Sequence, residues 1–217
     1  MDKKIILKKL MEEVRKRMSS DSSGHDWWHV YRVYKMAVHL AKDERVDRFV
    51  VELAALLHDI ADYKFHGGDD TVGPRVAREI LEKRKIEPEI INHVCDIIAH
   101  LSFKGAGVKS EMKTIEGKIV QDADRLDALG AIGIARTFAY GGSKGRLMHE
   151  PGLKSVLHQT KEAYMKNQST SVTHFYEKLL LLKERMNTKS AKRIAKSRHE
   201  YMVKFLKRFY KEWEGKI

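Results

Sequence analysis

Val50-Val51-Glu52-Leu53-Ala54-Ala55-Leu56-Leu57-His58-Asp59 is an apolar run that ends on two metal-capable side chains. Its length and composition suit a buried helix, and Asp47 just upstream is a plausible N-cap for one starting there and running to about Ile60. Turn residues follow Ile60, which puts His58 and Asp59 in the last turn. Neighbouring residues diverge by about 100° on a regular helix. Both side chains can face one ion only at a helix end, where the backbone geometry relaxes. A second apolar stretch, Ile119 to Leu129, contains Asp122, Asp124 and Asp127, and a third carries His29. An ionised carboxylate is costly to bury unless a partner or a metal compensates it. Carboxylates and imidazoles on faces that should meet a core therefore point to a divalent metal held between helices.

The rest of the chain is consistent with an all-α fold. It has 217 residues, enough for one domain with a substantial core, and we read 1–217 as a single domain. Only three prolines occur, and helix formers dominate. Ile6, Leu10, Val14 and Met18 mark a helix over 2–18, and Asp26 opens a second that carries Trp27, His29, Val33, Ala37 and Leu40. Pro74 and Pro88 suit the first turns of helices over about 72–85 and 88–101. A further helix covers about 114–129, and two long ones close the chain over about 172–186 and 190–213. Residues 62–70, 103–113 and the glycine-rich 141–146 read as loops.

The single Cys95 cannot form an internal disulfide. No run is apolar enough to cross a membrane, so a cytoplasmic protein with no membrane partner is expected. The net charge of +12 is large, and charges alternating with apolar positions over Lys183–Lys216 read as a solvated helix face. Tyr201, Phe205, Phe209, Tyr210 and Trp213 recur at helical spacing and read as packing residues. Gly141-Gly142-Ser143-Lys144-Gly145 is not a phosphate-binding P-loop, because its spacing and a preceding strand are missing.

His29, the His58-Asp59 pair and Asp124 resemble the H…HD…D pattern of the HD-domain metal-dependent phosphohydrolases, in their small single-domain bacterial branch. The segments that carry the likeness are His25–His29, Leu56–Phe65, Val120–Ala131, Phe138–Gly142 and His174–Leu179, so it covers nearly the whole chain. The resemblance implies an HD-type helical bundle in which His29, His58, Asp59 and Asp124 hold a divalent ion (Mn, Fe, Co, Ni, Mg or Zn). It implies Asp62 as the acidic group serving the attacking water, and a nucleotide as substrate. Lys64, His100, Asp127 and Lys144 are the candidate substrate contacts. His93 and Asp122 read as structural. In the segment Ala99-His100-Leu101-Ser102-Phe103, Leu101 intervenes where the family places Ser directly after His. The expected reaction is water attack on phosphorus, splitting a (deoxy)nucleoside triphosphate to monophosphate and pyrophosphate, with a 5′-nucleotidase or another phosphoesterase as the alternative. A nucleotide-sensing or nucleic-acid-binding module without turnover is the alternative from another class, and nucleic acid is the less favoured partner. A homodimer is compatible with this reading.

Overall fold

A computed structural model describes residues 2–18, 26–61, 69, 71–103, 107–108, 112–157, 160 and 169–217. Every regular element among them is helical: α1 (Lys3–Arg17), α2 (Trp27–Leu40), α3 (Arg48–Leu57), α4 (Val72–Glu82), α5 (Pro88–His100), α6 (Ile115–Asp127), α7 (Gly130–Ser143), α8 (Ser171–Glu177) and α9 (Lys189–Trp213). Short 3-10 segments cover Ala41–Asp43 and Leu179–Arg185. None of these helices is long and apolar enough to cross a membrane. The chain forms two compact units, Met1–Phe103 with Lys109–Ala123, and Lys104–Val108 with Asp124–Ile217. The division falls within α6, just before Asp124.

In the first unit, caps place the helices where composition calls for them. Asp2, Asp26 and Asp47 each accept a backbone N–H in the first turn of α1, α2 and α3, removing one of the unpaired donors that every helix start presents. α2 packs on α3, α3 on α5, α5 on α4, and α1 on α3. Val30, Val33 and Ala37 of α2, Leu53, Ala54 and Leu57 of α3, and Val94 and Ile97 of α5 are fully buried. Tyr34 of α2 donates to Glu52 of α3 at 2.9 Å. This fixes the register of the two helices that carry His29 and His58. Burial first, and then the Glu52 carboxylate, hold the Tyr34 phenol well above its usual range. Gly73 lets the first turn of α4 approach the segment after Asp59. A Cβ there would stand 3.3 Å from the Ala61 carbonyl oxygen and from Ile98.

The second unit departs from the sequence expectation twice. The helix α7 was not foreseen, and it runs through Gly141, Gly142 and Ser143, which read as loop. Glycines lower helix propensity, but Gly141 is closely packed: a Cβ there would stand 2.1 Å from Ser171 Oγ, and that hydroxyl would have to move. The helix ends at Lys144, and the turn closes with Arg146 N–H donating to the Gly141 carbonyl at 2.8 Å. The expected helix over 172–186 is divided. α8 stops at Glu177, Lys178 takes a non-helical conformation (φ −140°, ψ −60°), and Leu179–Arg185 continues as 3-10. Leu179 and Leu182 are both buried, and a three-residue period stacks them on one side of a 3-10 helix. Phe138, Phe175, Phe205 and Phe209 form an aromatic cluster with neighbouring ring centroids 6.0–6.3 Å apart; of the C-terminal aromatics expected to pack, Tyr201 and Trp213 are instead exposed.

Candidate metal centre

His29 and His58 are both buried. His29 sits in the first turn of α2, where Asp26 accepts its backbone N–H at 2.9 Å. It shares the inward face of that helix with Val33 and Ala37, at four-residue spacing. α3 ends at Leu57, and His58 is its C-cap. Residues 58–61 form a turn, with the Ile60 N–H donating to the Leu57 carbonyl at 3.1 Å. The helix stop thus turns two adjacent side chains toward one point.

The donor atoms converge. His29 Nε2 lies 3.1 Å from His58 Nε2 and 3.2 Å from Asp59 Oδ2, and His58 Nε2 lies 3.6 Å from Asp59 Oδ2. His58 Nδ1 is 2.9 Å from the Ala55 carbonyl oxygen. A carbonyl can only accept, so Nδ1 carries the proton and the lone pair is on Nε2, the usual device for orienting a metal-binding imidazole. A lone pair facing the other ring nitrogen at 3.1 Å needs either a shared proton or a cation to relieve it.

A divalent ion fits this arrangement. Nitrogen and carboxylate ligands lie about 2.0–2.2 Å from zinc-like ions. The circle through the three donors has a radius of about 1.9 Å, close to those bond lengths, so His29 Nε2, His58 Nε2 and Asp59 Oδ2 could hold one ion together. The Asp59 side chain is 18% exposed, whereas the two imidazoles are 1% exposed, so the carboxylate marks the wetter edge. Mixed imidazole and carboxylate donors suit borderline divalent metals, and a structural zinc site would more often use several thiolates, whereas this chain has the single Cys95. Among the described residues this is the cluster of metal-ligating side chains in which the donors converge.

The other expected site residues have the following surroundings. Asp124 is half-buried near the end of α6. Asp127, also on α6, is buried and paired with Arg136 at 2.9 Å. His100, in the last turn of α5, is half-buried, with Nδ1 2.8 Å from the Asp96 carbonyl oxygen and 3.3 Å from its carboxylate. Lys144 caps α7 with its ammonium 5.7 Å from the Tyr140 ring centroid. Asp62 and Lys64 lie outside the described residues. His93 makes structural contacts, to Thr114 Oγ1 at 3.0 Å and Glu116 at 3.8 Å, and Asp122 is fully buried.

Sequence reasoning missed three supporting groups. Tyr34 carries no pattern that singles it out, although its partner Glu52 is a carboxylate inside an apolar run. Gln121 donates its amide to the carbonyls of His100 and Leu101 at 3.3 and 3.2 Å, capping α5 where His100 sits. Arg136 holds Asp127.

Comparison with known proteins agrees with this geometry. The HD domain profile matches residues 27–129. An HD-superfamily hydrolase from Bacillus thuringiensis is 45% identical in its crystal structure, over 98% of this chain and 99% of its own, with a TM-score of 0.74. A crystal structure from Lactobacillus plantarum is 34% identical over 99% of this chain and 100% of its own, with a TM-score of 0.87. The YpgQ protein of Bacillus subtilis is 38% identical over 206 residues, 93% of this chain and 91% of its own. Its crystal structure in complex with ADP gives a TM-score of 0.73 over 95% of this chain and 97% of that one, at 36% identity. The chain belongs to the HD-domain superfamily of hydrolases.

Proposed function

We propose that this protein is a metal-dependent phosphohydrolase of nucleotides, cleaving a (deoxy)nucleoside triphosphate to the monophosphate and pyrophosphate. The observation that carries this reading is the convergence of His29 Nε2, His58 Nε2 and Asp59 Oδ2 within 3.6 Å. Asp124 is the fourth protein ligand by its match to the family pattern. When bound, a divalent ion supplies Lewis acidity that lowers the pKa of water and polarises a phosphoryl oxygen.

The protein's own groups supply the rest. The His58 Nδ1–H bond to Ala55 holds that ring in its donating tautomer. Asp62 takes the proton of the attacking water. Lys64, His100 and Lys144 neutralise phosphate charge, and Asp127 contacts the sugar. The water oxygen ends on the α-phosphorus, and the bond to the pyrophosphate oxygen breaks. The ADP complex of YpgQ supports a nucleotide as the substrate class.

The test is a nucleotide panel given to metal-stripped protein resupplied with Mn, Co, Ni, Mg or Zn, with products separated and Asp59→Ala as control. Monophosphate plus pyrophosphate is expected. Nucleoside plus phosphate would replace the proposal with a 5′-nucleotidase, and turnover that survives Asp59→Ala would remove the assigned centre from the chemistry.

A further inference from the structure

α9 is a 25-residue helix whose apolar side is buried: Ala191, Ala195, Met202 and Leu206 face the interior of the second unit. Its other side is basic. Lys189, Lys192, Arg193, Lys196, Lys204, Lys207 and Lys211 are all exposed. At 100° per residue they fall within an arc of about 120°, and at 1.5 Å per residue they extend over about 33 Å. Glu200 is the acid within that arc. None of the seven cations pairs with a carboxylate among the described residues, whereas Arg208, outside the arc, is held by Glu212. Glu200 stands four residues from both Lys196 and Lys204 without an ion pair to either, and the other five cations have no carboxylate at that spacing.

A row of seven unpaired cations that length complements a regular polyanion. A duplex carries one phosphate charge per 1.7 Å of axis, and 33 Å is about one of its turns. A membrane surface fits less well, because a helix binds there by burying its apolar face among the lipids, and the apolar face of α9 is committed to the protein core. Single strands fit less well too. They need exposed rings for stacking, but Tyr210, the ring at the edge of the arc, is half-buried against His149 and Phe209, and the exposed Tyr201 and Trp213 lie outside the arc. We propose that this face of α9 binds the phosphate backbone of double-stranded nucleic acid without reading its sequence. The proposal is independent of the hydrolytic function.

The experiment is fluorescence anisotropy of the full chain with two unrelated 30-base-pair DNA duplexes, between 50 and 200 mM KCl. Each phosphate contact contributes about −0.9 to the slope of log K against log salt, so four to seven contacts give about −4 to −6. Both duplexes should bind alike. A Lys192→Gln, Lys196→Gln, Lys204→Gln, Lys207→Gln variant should lose about 3 to 4 of that slope and more than tenfold in affinity at 100 mM. The matching four-fold Lys→Arg variant should keep both, and nucleotide turnover should be unchanged in each. A wild-type slope shallower than −1, or a Gln variant that binds like wild type, overturns the proposal. So does a single-stranded oligonucleotide that binds more tightly than the duplex, or equal binding to phosphatidylserine-containing vesicles at the same salt.

Discussion

Replacing Asp59 by alanine removes the anionic donor from a triangle whose sides are 3.1, 3.2 and 3.6 Å. Two imidazoles would remain at that corner of the centre. Groups one layer beyond a metal's ligands already change its affinity by about 10- to 100-fold, so losing a ligand should weaken binding by at least about 100-fold. Ligand binding to the native state stabilises it by RT ln(1 + [L]/Kd). At a free metal concentration 100 times the wild-type Kd, wild type gains about 2.7 kcal/mol and the variant about 0.4 kcal/mol. For a chain of this size each kcal/mol moves the melting temperature by about 2–4 °C. Wild type should therefore show a metal-induced rise about 5–9 °C larger than the variant shows. The assay is scanning calorimetry of both proteins with and without Mn or Co, after calorimetric titration has set the wild-type Kd. A folded Asp59→Ala protein with a rise within about 1 °C of wild type refutes the placement of Asp59 on the ion.

Three further outcomes follow from the packing. Tyr34→Phe removes the hydrogen bond between α2 and α3 without opening a cavity, and should cost about 1 kcal/mol in urea denaturation; no loss would mean that the Glu52 contact does not brace the two helices. Glu13 is held by Arg84 and, at 2.7 Å, by Arg17. Burial raises its carboxyl pKa, but the two guanidiniums lower it more, and it ends below its ordinary value. Its stabilisation is therefore present above the unfolded carboxyl pKa of about 4.3 and lost as pH falls through the lower folded value. Glu13→Gln should cost about 0.5 kcal/mol at pH 7, after allowing for solvent screening, with the gap closing in acid; an acid-insensitive gap would contradict the pairing. Gly130 has φ +74°, and a Cβ there would lie 3.1 Å from Arg198, whose guanidinium donates to the Leu126 carbonyl. Gly130→Ala should cost about 2 kcal/mol by thermal melting, and a neutral result would show that this turn relaxes freely.

Much of the site-bearing unit was legible because its signals are local. Asp26 and Asp47 announced the starts of α2 and α3 through cap chemistry. The turn residues after Ile60 announced the helix stop that lets His58 and Asp59 converge. What escaped depends on contacts distant in sequence. α7 runs through two glycines of poor propensity, of which Gly141 sits close under Ser171, 30 residues further along the chain. The division after Glu177, where Lys178 leaves the helical region and Leu179–Arg185 turns 3-10, carries no local sequence signal. Gln121 and Tyr34 act through partners 20 and 18 residues away, and no motif marks either. The charges of α9 were visible as composition, but that seven of them share one face with no carboxylate partner among the described residues emerged only with the helix boundaries and the surrounding side chains.

The proposed nucleotide hydrolysis stands on one metal centre built from His29, His58 and Asp59. The most direct test is to titrate metal-stripped protein with Mn or Co while measuring bound ion and nucleotide turnover in the same samples. Occupancy and turnover should rise and saturate together, and both should be lost in a folded His58→Ala variant. Full turnover before any ion binds, or a His58→Ala protein that binds and turns over like wild type, would contradict the proposal.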